Sequence, residues 1–115
     1  RDIFKTPRRI SYKKIIPSLV GEEELRNDVF PTLIPNWDHT PRSGSNGDLF
    51  TNSTPELFQK HCLQVLSLLK NKPENRKIAF LKSWNEWGEG NYMEPDQTWG
   101  HGFLDALHDE VVIED

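Results

Sequence analysis

Apolar residues in this chain come in short groups, and the spacing inside each group predicts an element. Tyr12, Ile15, Ile16 and Leu19 recur at helical spacing, so a helix is expected over residues 11–20 with Ser11 as its N-cap. Pro17 has no amide proton and should kink or end that helix. Gly21-Glu22-Glu23-Glu24 reads as a polar connection, and residues 28–34 as a strand that Pro31 weakens. Residues 36–53 hold Pro41, Gly44, Gly47 and many small polar residues without a period, the mark of a long irregular loop. The clearest helix follows. Thr54 is its N-cap, Pro55 its first residue, Glu56 sits beside the N-terminal dipole, and Phe58, Cys62, Val65, Leu66 and Leu69 form its apolar stripe. Asn71-Lys72-Pro73 ends it, with Cys62 assigned to the core and His61 to the helix surface. Ile78-Ala79-Phe80-Leu81 is a continuous apolar run, which suits a strand buried on both faces. Beyond Gly100 and Gly102, Phe103, Leu104 and Leu107 mark a last helix.

Strands alternating with helices predict an α/β fold with a parallel sheet, and such folds bind ligands at the carboxyl ends of their strands. Both the loop from residue 36 and the stretch from residue 83 leave from those ends. Composition changes this picture in one respect. With 35% hydrophobic and 28% charged residues among 115, little is left for an independent core. The chain begins at Arg1 without an initiator methionine and reads as one partial domain, residues 1–115, of a larger unit. A net charge of −4 without a basic patch argues against nucleic acid or an anionic membrane surface as partner. No apolar run approaches the roughly 18 residues of a membrane span. Cys62, the single cysteine, excludes an intrachain disulfide and leaves the compartment open. Asn52-Ser53-Thr54 matches a glycosylation sequon in form only.

The chemistry concentrates after the second predicted strand, in Trp84, Asn85, Glu86, Trp87, Glu89, Tyr92 and Glu94. Glu86 and Glu89 would point to opposite faces of a strand, but in a helical turn they share one side with Cβ atoms about 5–6 Å apart. Gly88 and Gly90 permit such a turn. Two carboxylates that close resist ionising together, so the pair can supply an acid and a base, as glycosidic chemistry requires. Trp84, Trp87, Tyr92 and Trp99 suit the C–H faces of sugar rings or, equally, a core, and Asn85 suits sugar hydroxyls. In Trp37-Asp38-His39-Thr40-Pro41-Arg42, Asp38 and Arg42 either bind substrate or brace the loop by an ion pair. Glu94 is either a third site carboxylate or a brace before Pro95.

The block from Trp84 to Asp96 resembles the signature of the WbsX-type glycosyltransferases, also described as glycoside hydrolase family 99-like domains. Trp37 to Arg42 and Ser53-Thr54-Pro55-Glu56-Leu57-Phe58 resemble two upstream blocks of that family in the same order, so the likeness spans roughly residues 28–107. The resemblance implies a (β/α)8 TIM-type barrel, of which this chain would be the C-terminal third. It further implies that Glu86 is the general base acting at the sugar 2-hydroxyl and Glu89 the general acid, on a retaining route through an anhydrosugar. Trp37, Asp38, Arg42, Trp84, Asn85, Trp87, Tyr92 and Glu94 are the expected substrate-binding residues. Two positions depart from the family pattern: Gly88 stands where the hydrolases usually carry His, and His39 where the upstream block usually carries Asn. The first departure means that the resemblance does not carry over the hydrolases' endo-mannosidase specificity, though both carboxylates are kept.

Hydrolysis or transfer on an oligosaccharide or polysaccharide is the function class these features support. The transferase alternative, in O-antigen or lipopolysaccharide synthesis, would take a nucleotide sugar, although no Asp-x-Asp is present to hold a metal-bound diphosphate. A non-catalytic carbohydrate-binding module is the third reading. No cofactor is called for. Gly88-Glu89-Gly90 lacks the third glycine of a dinucleotide fingerprint, and His39, His61, His101 and His108 lack the short spacing of zinc ligands.

Overall fold

The computed structural model describes residues 5–111. Strand β1 (Arg8–Ser11) passes directly into helix α1 (Tyr12–Leu19). The predicted cap is in place: Ser11 Oγ accepts from the Lys14 amide at 3.4 Å, and the helix ends two residues after Pro17. Strand β2 (Thr32–Leu33), helix α2 (Thr40–Ser43) and strand β3 (Asp48–Thr51) precede the long helix α3 (Pro55–Leu69). Thr54 Oγ1 accepts from the Leu57 amide at 3.2 Å, which satisfies one of the free donors at the start of α3. Strands β4 (Phe80–Leu81), β5 (Asn85–Glu86) and β6 (Asn91–Tyr92) follow, and helix α4 (Gly102–Val111) completes the described chain.

The strands form a mixed α/β arrangement of separate pairs rather than one continuous sheet. β1 runs parallel to β3 with Arg8 opposite Asp48 and Ser11 opposite Thr51. β2 runs parallel to β4 with Leu33 opposite Leu81, and β5 pairs antiparallel with β6. Four sequence expectations are corrected. The loop over residues 36–53 contains α2 and β3, because β3 finds its partner in β1 some forty residues earlier. The strand expected over 28–34 narrows to Thr32–Leu33, since Pro31 offers only its carbonyl, which accepts from Phe80 N at 2.9 Å. The run 78–81 is paired only at Phe80 and Leu81. It is not buried on both faces: Ile78 is 44% and Phe80 58% exposed, as β4 has, among the described residues, a neighbouring strand on one side alone. His61 is fully buried, not on the helix surface.

His61 is accommodated because both ring nitrogens are paired. Nε2 accepts from the Ile34 amide at 3.1 Å and Nδ1 lies 3.1 Å from Gln64 Oε1, so the imidazole ties α3 to the end of β2. Burial holds its pKa below the ordinary histidine value. Around it, Leu33, Phe58, Cys62, Val65, Leu69, Met93, Phe103 and Ala106 form the core, with Phe58 and Phe103 edge to face at 5.9 Å. Each large apolar side chain fully buried in this way contributes about 1.5–3 kcal/mol. The start of α4 lies so close to α3 that a Cβ on Gly102 would stand 2.6 Å from Pro55 Cγ. Lys72 is buried as well, its ammonium donating to the carbonyls of Arg26 (2.8 Å) and Val29. Among the described residues no helix is long and apolar enough to cross a membrane.

Candidate functional site

The loops leaving β2 and β4 meet, and four backbone and amide hydrogen bonds cross between them. Asn91, fully buried, donates from Nδ2 to the carbonyls of Asn36 (2.7 Å) and Lys82 (2.9 Å). Asn36 returns the contact, accepting the Tyr92 amide on Oδ1 at 2.8 Å and donating to Tyr92 O at 3.1 Å. The Asp38 amide donates to Glu89 O at 2.9 Å. These bonds lie in a region where little water can replace them, so they fix one loop against the other.

Glu86 ends β5 and caps a 3₁₀ turn formed by Trp87, Gly88 and Glu89. Residues three apart nearly eclipse in such a turn, which brings Glu86 and Glu89 to one side. Arg42, carried across by α2, joins them: Nη2 lies 2.8 Å from Glu86 Oε1, and Nε lies 3.9 Å from Glu89 Oε1. His39 Nε2 is 3.7 Å from the same Glu89 oxygen. The expected like-charge pair is therefore a mixed cluster with a guanidinium between its carboxylates. Arg42 is ion-paired, but with Glu86 across the site and not with Asp38 within its own loop. Asp38 braces the loop differently, accepting from the Thr40 amide (2.9 Å) and hydroxyl at the start of α2.

The aromatics divide into walls and core. Trp87 stacks on Tyr92 with ring centroids 3.9 Å apart and planes 14° from parallel, leaving Trp87 46% exposed. Its indole Nε1 donates to Glu94 Oε1 at 2.8 Å, so Glu94 orients Trp87 and does not stand as a third free carboxylate. Tyr92 packs edge to face on Phe103 and donates its hydroxyl to Asp96 Oδ2 at 2.7 Å; burial, then that carboxylate, pushes the phenol pKa up. Trp37 stacks on His39 at 5.5 Å, with Lys82 Nζ 5.0 Å from its ring centre. Trp84 presents an exposed ring while its carbonyl accepts from Met93 N at 2.9 Å, and Asn85 is exposed opposite Tyr92 in the β5–β6 pair. Trp37, Asp38, Gly90, Tyr92 and Trp99 line a cleft of ≈ 280 Å³, with Glu86 and Glu89 outside its lining.

His39, Asn36 and Asn91 were missing from the expected site. His39 is signalled only by its place in the Trp37–Arg42 block, and nothing local distinguishes Asn36 or Asn91 from loop asparagines. Among the described residues no group of three or more His, Cys, Asp and Glu side chains gathers as a metal site would require.

Two proteins named "Uncharacterized protein WxcX", from two strains of Xanthomonas campestris pv. campestris, are each 32% identical to this chain over 85 residues. The match takes in 73% of this chain and 12% of each relative, so the chain spans only a small part of their length. A solved structure described as a glycoside hydrolase-like protein shares the fold with a TM-score of 0.60 at 18% identity, over 90% of this chain and 30% of its own. The pattern described as glycosyltransferase WbsX runs through residues 2–107, and the chain belongs to that family.

Proposed function

We propose that this chain is the C-terminal part of a (β/α)8 barrel in which Glu86 and Glu89 act as an acid/base pair on the glycosidic bond of an oligosaccharide or polysaccharide. The observation that carries the reading is the guanidinium of Arg42 facing both carboxylates, which puts Glu86 and Glu89 on one side of the turn that follows β4 and β5. Supporting the barrel are the two parallel pairs, the site loops leaving the carboxyl ends of β2 and β4, and the exposed β4 face. A radius of gyration of 15.5 Å also exceeds the roughly 13 Å of a compact domain of this length.

In this mechanism Glu86 takes the proton of the sugar 2-hydroxyl as O2 attacks the anomeric carbon. Glu89 gives its proton to the departing glycosidic oxygen. Water then opens the anhydrosugar, so configuration is retained by a route outside the usual nucleophilic pair. The Trp87–Tyr92 stack, Trp37 and Trp84 offer faces to sugar rings, Asn85 and Asp38 offer hydrogen bonds, and Glu94 sets the angle of Trp87. The longer protein carrying this chain is to be incubated with α-mannan-type oligosaccharides and, separately, with nucleotide sugars. Release of reducing ends that disappears in Glu86→Gln and Glu89→Gln supports the reading; turnover of nucleotide sugar alone overturns it. Oligosaccharide binding that survives both substitutions, with no turnover by the parent, identifies a binding module instead.

The family description favours a second reading, transfer from a nucleotide sugar during polysaccharide or lipopolysaccharide synthesis. A further incubation that combines the nucleotide sugar with an acceptor saccharide separates the two, because transfer consumes the nucleotide sugar only when an acceptor is present.

A further inference from the structure

Gly88 lies between the two carboxylates in sequence, and the space beside its Cα is already occupied. A Cβ there would stand 2.9 Å from Arg42 Nη2 and 3.3 Å from Nε. These are the same nitrogens that face Glu86 and Glu89. The backbone at Gly88 lies outside the left-handed region, so glycine serves this position by its small size and not by its dihedral freedom.

We propose that Arg42 and Gly88 form a matched pair: the absent side chain at 88 admits the guanidinium, and the guanidinium positions Glu86 and Glu89 for the reaction assigned to them above. The inference rests on that assignment for its catalytic consequence but not for its geometry. Arg42 starts from a fixed base, because its amide bonds to His39 O at 3.2 Å and Asp38 anchors both the start of α2 and the Glu89 carbonyl. Among the described residues its far end is held by the two carboxylates alone. A methyl group at 88 therefore displaces the tip of a flexible side chain and leaves the backbone undisturbed. Gly88→Ala and Arg42→Ala should produce the same defect by removing the guanidinium from the same place.

The test uses the longer protein with Arg42→Ala, Gly88→Ala, the double variant and Arg42→Lys, after thermal melting has shown them folded. Carbodiimide coupling of glycine ethyl ester, read at Glu86 and Glu89 by peptide mass spectrometry, reports the carboxylates without reference to activity. Each single variant should label Glu86 at least about threefold faster, and the double no faster than the singles, because contacts within one unit are not additive. Unchanged labelling in the single variants, or multiplied effects in the double, overturns the pairing. On a turned-over sugar substrate, both single variants should lower kcat about ten- to a hundredfold with little change in KM, the signature of lost alignment. Arg42→Lys should recover part of kcat. A kcat and pH–rate profile untouched by Arg42→Ala would overturn the positioning role. Absence of turnover in the parent would count against the proposed function alone, since the labelling still decides the pairing.

Discussion

Gly90 offers the sharpest test of how the two site loops are joined. Its φ of +53° lies in the left-handed region, and a Cβ at this position would stand 2.6 Å from Asp38 Cβ, 2.9 Å from Asp38 N and 3.1 Å from Asp38 Cα. Two separate costs follow for Gly90→Ala. The left-handed backbone costs an L-residue about 1–2 kcal/mol. Forcing a methyl group against backbone atoms adds about 1–3 kcal/mol, as overpacking does elsewhere. The strained partner is also the residue whose amide donates to Glu89 O at 2.9 Å, so relief by moving Asp38 sacrifices that bond. A destabilisation of about 2–5 kcal/mol is expected, read from urea unfolding followed by tryptophan fluorescence. Gly90→Asn separates the two costs, because asparagine tolerates the left-handed region but still carries a Cβ. It should lose only the packing cost, about 1–3 kcal/mol. Full stability in Gly90→Asn would show that dihedral strain alone matters and that Asp38 does not approach as described; an unchanged Gly90→Ala would refute both parts.

Three further outcomes are expected. Phe58→Ala, which empties a fully buried position against Phe103, should cost about 3–5 kcal/mol in urea unfolding, and a loss below about 1 kcal/mol would show that α3 and α4 do not share a core. Burial pushes the Cys62 thiol up to about 12, so dithionitrobenzoate at pH 8 should react with it only after unfolding. The unfolded thiol, near 9, loses its proton first, and stability should therefore fall as pH rises from about 9 to about 12, a slope that Cys62→Ala makes shallower while the raised phenols of Tyr12 and Tyr92 keep their share. His61 has the opposite dependence. Its pKa is lowered by burial, so the unfolded chain takes up a proton that the folded chain resists, and stability should fall as pH drops below about 6.5. His61→Gln should flatten that acid limb in urea midpoints measured from pH 7 to pH 5.

Much of the helical framework is legible locally. Ser11 and Thr54 cap the helices they were expected to cap, and the Phe58–Leu69 stripe faces the core, because capping and amphipathic periodicity act within a few residues. The strands were harder to read. β1 begins with Arg8 and Arg9 and shows no alternation, and β3 lies in a stretch rich in glycine and asparagine. Each becomes a strand through backbone bonds to the other, and a ladder between segments forty residues apart leaves no local mark. His61 follows the same rule: its position along α3 says little, whereas the Ile34 amide and Gln64 make its burial affordable.

For the site, the sequence by itself placed Glu86, Glu89 and the neighbouring aromatics in one block, and their three-residue spacing puts the two carboxylates on one side of a tight helical turn wherever such a turn forms. Only the tertiary structure decided what stands between and around them. It brought Arg42 across 44 residues to Glu86, assigned Glu94 to Trp87, and set Asp38 against Gly90. The reason is physical: a guanidinium, an indole or a backbone amide finds its partner through the packing of loops held by Asn36 and Asn91, and that packing depends on the whole chain at once.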